Sequence, residues 1–275
     1  MELINVSEKD KENIQIQEMK ILKEFDRLCR GNGLKYSVAY GTMIGAVRHK
    51  GFIPWDDDVD VWMQRSDIGK LKEICKTQMN ENFFYQTNET DSEYFYLLDK
   101  IRENNTVFRE SFVSKYKIHH GVYIDIFPLD YMPDNLVHRY FHYIHYRFYR
   151  AGLMAKYLDI NYRTGLKKVM ARLVRIAYAP FSVEFLYKKA NKTASKYDKK
   201  TGYLANLASA SAWRDVFPAS IYEKVSSVPF EDMEVLCIDE YDRYLTDIYG
   251  AYMELPPVEQ RNTRHSLTEL RLGDN

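Results

Sequence analysis

Between Pro54 and Met63 the chain reads PWDDDVDVWM, four carboxylates in five residues leading into a stretch of alternating side chains. Val59, Val61 and Met63 alternate with Asp58, Asp60 and Trp62, the period of a β-strand whose two faces differ. In such a strand Asp58 and Asp60 share one face while the valines enter a core. Carboxylates this close repel one another, which costs folding free energy unless a cation or strong hydrogen-bond donors offset it. The segment thus needs an apolar layer beneath it and positive charge above it.

The flanking sequence supplies the layer. From Glu8 to Arg30, Ile14, Ile21, Leu22, Phe25, Leu28 and Cys29 recur at helical spacing, and Gly31-Asn32-Gly33 supplies the stop. Leu34 to Tyr40 reads as a short strand, after which Gly41-Thr42 opens the helical piece MIGAVRH, ended by Gly51. A helix bearing Ile68, Leu71, Ile74 and Cys75 follows the acidic strand. Tyr94 to Arg102 and Thr106 to Arg109 read as a hairpin around Asn104-Asn105, and Gly121 to Leu129 as a strand stopped by Pro128. This order predicts an α/β or α+β core, a mixed sheet with flanking helices and its loops gathered at one end. Residues 1–135 would form that core, 136–212 a basic, aromatic-rich helical insertion broken at Pro180, and 213–275 a C-terminal segment completing the core.

Charge is distributed unevenly. The chain holds 39 basic and 39 acidic side chains, a balance that argues against holding nucleic acid by bulk charge. Residues 136–200 nevertheless carry 15 basic and 3 acidic side chains. Arg139, Arg147 and Arg150 interleave there with Tyr140, Phe141, Tyr143 and Phe148, and Lys167, Lys168, Arg172 and Arg175 recur beside Leu166, Val169 and Leu173. Such a pattern suits either a helix lying on an anionic membrane or a helical cap with a wet basic face. His138, His142 and His145 share one stripe; with no Cys or carboxylate to complete a zinc set, they read as part of the basic surface. Three widely spaced cysteines and a polar N-terminus point to a reduced, cytoplasmic setting. The longest apolar run, Val169 to Tyr187, is interrupted by Arg172, Arg175 and Glu184, so membrane contact would be peripheral, on the inner face.

Asp58 and Asp60 offer two hard oxygen donors suited to Mg2+ or Mn2+, with Asp56 and Asp57 as further candidates. Asp125 supplies a third carboxylate, because it interrupts the apolar strand VYIDIF, where an unpaired acid would be costly. Upstream, the Gly41-Thr42 helix start presents backbone N–H groups that can hold a phosphate. Arg48, His49 and Lys50 lie between the two motifs and can neutralise it. Tyr40 and Trp55 flank the motifs as substrate contacts, and Lys100 and Arg102, alternating on a strand, are further phosphate candidates. Taken alone, DDDVD reads equally as a solvated acidic turn. As a set, these residues are what nucleotidyl or phosphoryl transfer needs.

The segment YGTMIGAVRHKGFIPWDDDVDVWMQR, with Lys100, Thr106, GVYIDIFPLD and the C-terminal YLTDIYGAYMELPP followed by Arg261 and His265, resembles the LicD family. These are bacterial phosphocholine transferases related to fukutin-type sugar phosphotransferases. The resemblance implies a nucleotidyltransferase-like fold with Gly41-Thr42 as its turn, Asp58 and Asp60 as its metal pair and Asp125 as its third acid, the three acting as the catalytic set. It implies transfer of phosphocholine from CDP-choline to a hydroxyl of a cell-surface glycan, with CMP leaving and Arg261 and His265 closing the site. CDP-glycerol, CDP-ribitol or a nucleotide-linked sugar phosphate are alternative donors, and a non-catalytic membrane-associated assembly factor is the alternative from another class. Glu231-Asp232 stands where the family often has Gly after the Glu.

Overall fold

The computed structural model describes residues 3–157, 164–197, 201–209, 212–261 and 265–273. Helix α1 (Glu8–Gly31) is capped reciprocally by Ser7 and Asp10, and its apolar stripe, Ile14 through Cys29, is buried as the periodicity predicts. Strand β1 (Tyr36–Val38) leads into α2 (Tyr40–His49), and β2 (Asp60–Gln64) into α3 (Arg65–Gln78). Strands β3 (Phe83–Gln86), β4 (Asp99–Glu103), β5 (Val107–Glu110) and β6 (Tyr123–Met132) follow. The main sheet runs β1-β2-β6-β4-β3, with β2 and β6 parallel and the other neighbours antiparallel. The fold is therefore a mixed α/β sheet with flanking helices.

Helices α4 (Leu136–Tyr157), α5 (Gly165–Ala177) and α6 (Val183–Ala194) come next. Strands β7 (Tyr203–Ala205) and β8 (Val216–Pro218) then extend the sheet beyond Asp130 of β6. Strands β9 (Val225–Phe230) and β10 (Met233–Ile238) form a hairpin, and α7 (Tyr241–Tyr249) precedes β11 (Leu267–Arg271). One apolar core lies between the sheet, α1, α3, α7 and the β9–β10 hairpin; a second joins α4 and α6 to β7. All three cysteines are buried free thiols.

Four local expectations are corrected. β4 and β5 do not pair: β4 joins β3 and β6, and β5 pairs with β11. Thr106 turns the chain between them, its hydroxyl donating to Glu103 O and accepting from Val122 N–H. Pro128 does not stop β6. Asp125 N–H points to β2, so by the alternation of the ladder the N–H that Pro128 lacks would face the opposite side, between the end of β4 pairing at Ile126 and the start of β7 pairing at Asp130. Trp62 does not share a wet face with the acids, because Phe217 and Tyr244 cover it. β2 begins at Asp60, which leaves Asp58 in the connection just before it.

Candidate active site

Parallel pairing of β2 and β6 sets Asp60 in register with Asp125, and antiparallel pairing of β6 and β4 sets Asp125 in register with Lys100. An acid, an acid and a base thus form one row across three central strands. Lys100 Nζ lies 2.5 Å from Asp125 Oδ1 and 3.2 Å from the centre of the Tyr123 ring, in a buried position. Burial depresses the Lys100 pKa, and the Asp125 charge opposes that depression. Lys100 is therefore a buried counter-ion and not a surface phosphate contact. Arg102 is also buried. Its Nε donates to Gln86 Oε1 at 2.5 Å and its Nη1 to Gly121 O at 2.6 Å, so its hydrogen bonds are spent inside the protein.

Asp56, Asp57 and Asp58 enter from the connection ahead of β2. Thr42 accepts a 2.9 Å hydrogen bond from Asp60 N–H, so its hydroxyl ties α2 to the acidic strand. The Asp56 carboxylate leans on Gly41: a Cβ there would stand 2.5 Å from Asp56 Oδ2. Ala39, at the α2 N-cap, has no side chain with which to cap the helix. The helix start assigned to phosphate by sequence thus faces a carboxylate here, as its dipole favours.

Burial raises the pKa of Asp58, further raised by Asp57 and Asp125 and opposed by His265. Asp60 is held well above the usual carboxylate range by burial, then by Asp58, Asp125 and Asp56. Glu18 of α1 behaves likewise; buried with Oε2 unpartnered, it is pushed well up by burial and by Asp58, Asp57, Asp56 and Asp60. Sequence reasoning passed over Glu18, although an acid on the stripe of Ile14, Ile21 and Phe25 was the available signal.

His265, returned by the C-terminal segment, brackets the acids from another side. Its Nδ1 lies 3.1 Å from Asp57 Oδ1, and its Nε2 lies 3.2 Å from Tyr123 Oη and 3.7 Å from Glu110 Oε1. Burial alone would lower its pKa, but Asp57, Glu110 and Asp58 push it up to about 9. It is therefore an imidazolium at neutral pH. Asp57 Oδ2 is buried and unpartnered.

A second group gathers at Trp55. The Arg261 guanidinium lies 5.2 Å from the Trp55 ring, and the His49 ring 6.5 Å from it. Arg48 Nε lies 2.9 Å from His49 Nε2, and Arg48 Nη1 donates to Tyr252 O at 2.6 Å. Burial, and then Arg261, lower the Arg48 pKa; burial, and then Arg48, lower that of His49. Lys50 stands apart, an exposed left-handed residue (φ 61°) ending α2 whose carbonyl accepts from Glu231 N–H. Glu231 (φ 53°) makes the β9–β10 turn and accepts from Phe52 N–H. Tyr40 is also no substrate contact: its ring packs on Trp62 and Phe127, and its hydroxyl donates to buried Asp215.

The donors around Asp58, Asp60 and Asp125 are hard oxygens in carboxylate excess, which fits Mg2+ or Mn2+ in chemistry. Among the described residues, no three His, Cys, Asp or Glu side chains already form a ready metal shell. The fit rests on donor type and on the mutual repulsion that a cation would relieve.

Residues 33–152 match the LicD/FKTN/FKRP nucleotidyltransferase domain family. The chain is 29% identical over 260 residues to the lipopolysaccharide cholinephosphotransferase LicD of Haemophilus influenzae, covering 90% of this chain and 92% of that protein. It is also 40% and 38% identical, over 55 residues each, to uncharacterised proteins of Rickettsia prowazekii and Rickettsia typhi, about a fifth of either chain. The resemblance drawn from the acidic motif is borne out, and with it the reading of a transferase enzyme.

Proposed function

We propose, from the match of residues 33–152 to the LicD/FKTN/FKRP nucleotidyltransferase domain family, that this chain moves phosphocholine from CDP-choline to a hydroxyl of a cell-surface glycan precursor. The observation that carries the reading is the Asp60–Asp125–Lys100 row beside the α2 N-terminus. In the reaction the acceptor oxygen bonds to the choline-bearing phosphorus, the phosphoanhydride bond to CMP breaks, and the hydroxyl proton leaves to a carboxylate. Asp125, paired with Lys100, takes that proton. Asp58, Asp60 and Asp125 would hold Mg2+ or Mn2+, which when bound neutralises developing phosphate charge. Gly41, Thr42, Arg48 and Arg261 bind the pyrophosphate, and Trp55 offers its ring to the donor. Asp57 and His265 fix the loop that presents Asp58.

The test is CMP release from a panel of CDP-alcohols with Mg2+. CDP-choline should be preferred, and Asp58→Asn and Asp60→Asn should each abolish turnover in folded protein. Preference for CDP-glycerol or CDP-ribitol would replace phosphocholine as the group transferred. Full activity in either variant would overturn the assigned carboxylates.

A further inference from the structure

Helix α5 is amphipathic in the reverse of the usual sense. No residue of it is buried. Its partly covered positions are Lys168, Ala171 and Arg175, which recur on one stripe, and Arg175 Nε donates to Ala155 O of α4 at 2.9 Å. The polar stripe therefore faces the protein, and Leu166, Val169, Met170, Leu173 and Ile176 face away, Leu166 being 77% exposed. A helix in a globular protein normally turns its apolar stripe inward.

Helix α4 repeats the pattern on one side. Arg139, Tyr143, Tyr146 and Leu153 are buried, while Val137, Phe141, Ile144 and Phe148, at spacings of four, three and four, form an exposed stripe directly opposite. Phe148 ends that stripe against the start of the α5–α6 connection, with its ring 5.1 Å from Tyr178 and 6.1 Å from Phe181. Two uncovered apolar stripes thus lie on helices that touch. Neither helix contains an Asp or Glu, and Lys167 and Arg172 of α5 are exposed beside its apolar stripe. His142 adds nothing to this charge; it is buried, and burial lowers its pKa to about 4. Among the described residues no helix is long and apolar enough to cross a membrane.

We infer that the outer faces of α4 and α5 dock on the surface of an anionic lipid bilayer, apolar side chains entering the headgroup boundary and the bases pairing with lipid phosphates. Charge selects this occupant. A second copy meeting through the same faces would set uncompensated bases against bases, whereas an anionic surface complements them. The inference is independent of which donor the active site uses.

Vesicle co-sedimentation of the full chain tests it, with phosphatidylcholine alone and with phosphatidylglycerol added. The protein should sediment with the anionic vesicles, less so at high salt, and little with neutral ones. Met170→Asp with Leu173→Asp should reduce binding at least tenfold; because α5 buries nothing, thermal unfolding of that variant should match the parent. Lys167→Glu should lower partitioning by about fivefold or more, the worth of one basic residue at such a surface. Phe141→Asp on α4 provides a second, separate readout. No sedimentation with either vesicle, or equal sedimentation with both, overturns the inference. So does a dimer in solution that the α5 variant dissociates, since the faces would then cover each other.

Discussion

Asp60→Asn separates what the acidic row costs from what it does. Asp60 and Asp125 stand in register on neighbouring strands. Strands lie about 4.8 Å apart, so two ionised carboxylates there repel by about 3 kcal/mol at an effective dielectric near 20. Lys100 offsets part of that through Asp125. Protonation sets the ceiling: holding Asp60 neutral at pH 7, against its ordinary value of 3.8, costs about 4 kcal/mol at about 1.4 kcal/mol per pH unit. Asparagine keeps the shape and carries no charge. Without divalent cations, the variant should thus be more stable than the parent by about 1–3 kcal/mol, a Tm rise of about 3–8 °C for a chain of this length.

The pH dependence has a fixed sign. The folded state holds the Asp60 proton more tightly than the unfolded one, so the parent is penalised as pH rises above 3.8. Scanning fluorimetry in EDTA should show the two proteins converging near pH 4, diverging as pH rises, and levelling off above the folded-state pKa. Adding Mg2+ should raise the Tm of the parent and leave that of the variant in place. A folded variant with a Tm at or below the parent's in EDTA at neutral pH would refute the repulsion argument outright.

Other perturbations probe separate contacts. Lys100→Met strips Asp125 of its buried counter-ion and should cost about 3–5 kcal/mol in urea unfolding; a loss under 1 kcal/mol would mean the pair is dispensable. Gly41→Ala pushes against the end of the Asp56 side chain rather than backbone, so stability should fall by under about 1 kcal/mol while KM for the nucleotide donor rises roughly tenfold as the helix start is crowded. An unchanged KM would remove that helix start from the donor site. His265 is stabilising while protonated, so its contribution is complete below pH 6.5 and is lost as pH rises through about 9. Relative to His265→Gln, the parent should lose about 3 kcal/mol across that window in denaturant titrations; parallel pH profiles would contradict the imidazolium assignment.

How far the sequence disclosed this arrangement depended on the range of each contact. The α1 stripe and the α2 start are local patterns, and the folded chain keeps them. The Asp60–Asp125 pairing joins strands separated by a helix and three further strands, which no spacing rule encodes. Alternation misled at Arg102 and Trp62, because an alternating strand implies a wet face only when that face is uncovered, and here both are buried. The uneven charge was legible, but not how it is compensated. Many of the bases of residues 136–200 lie on α4, α5 and α6 instead. Among the described residues, the cations that touch the acid cluster are Lys100 and His265, from β4 and the C-terminal segment. The carboxyl groups of Glu18, Asp57, Asp58, Asp60 and Asp125 crowd an excess of negative charge into a poorly solvated place. That excess is why Asp58, Asp60 and Glu18 are driven toward their protonated forms, and why a divalent cation would strengthen the fold as well as serve the chemistry.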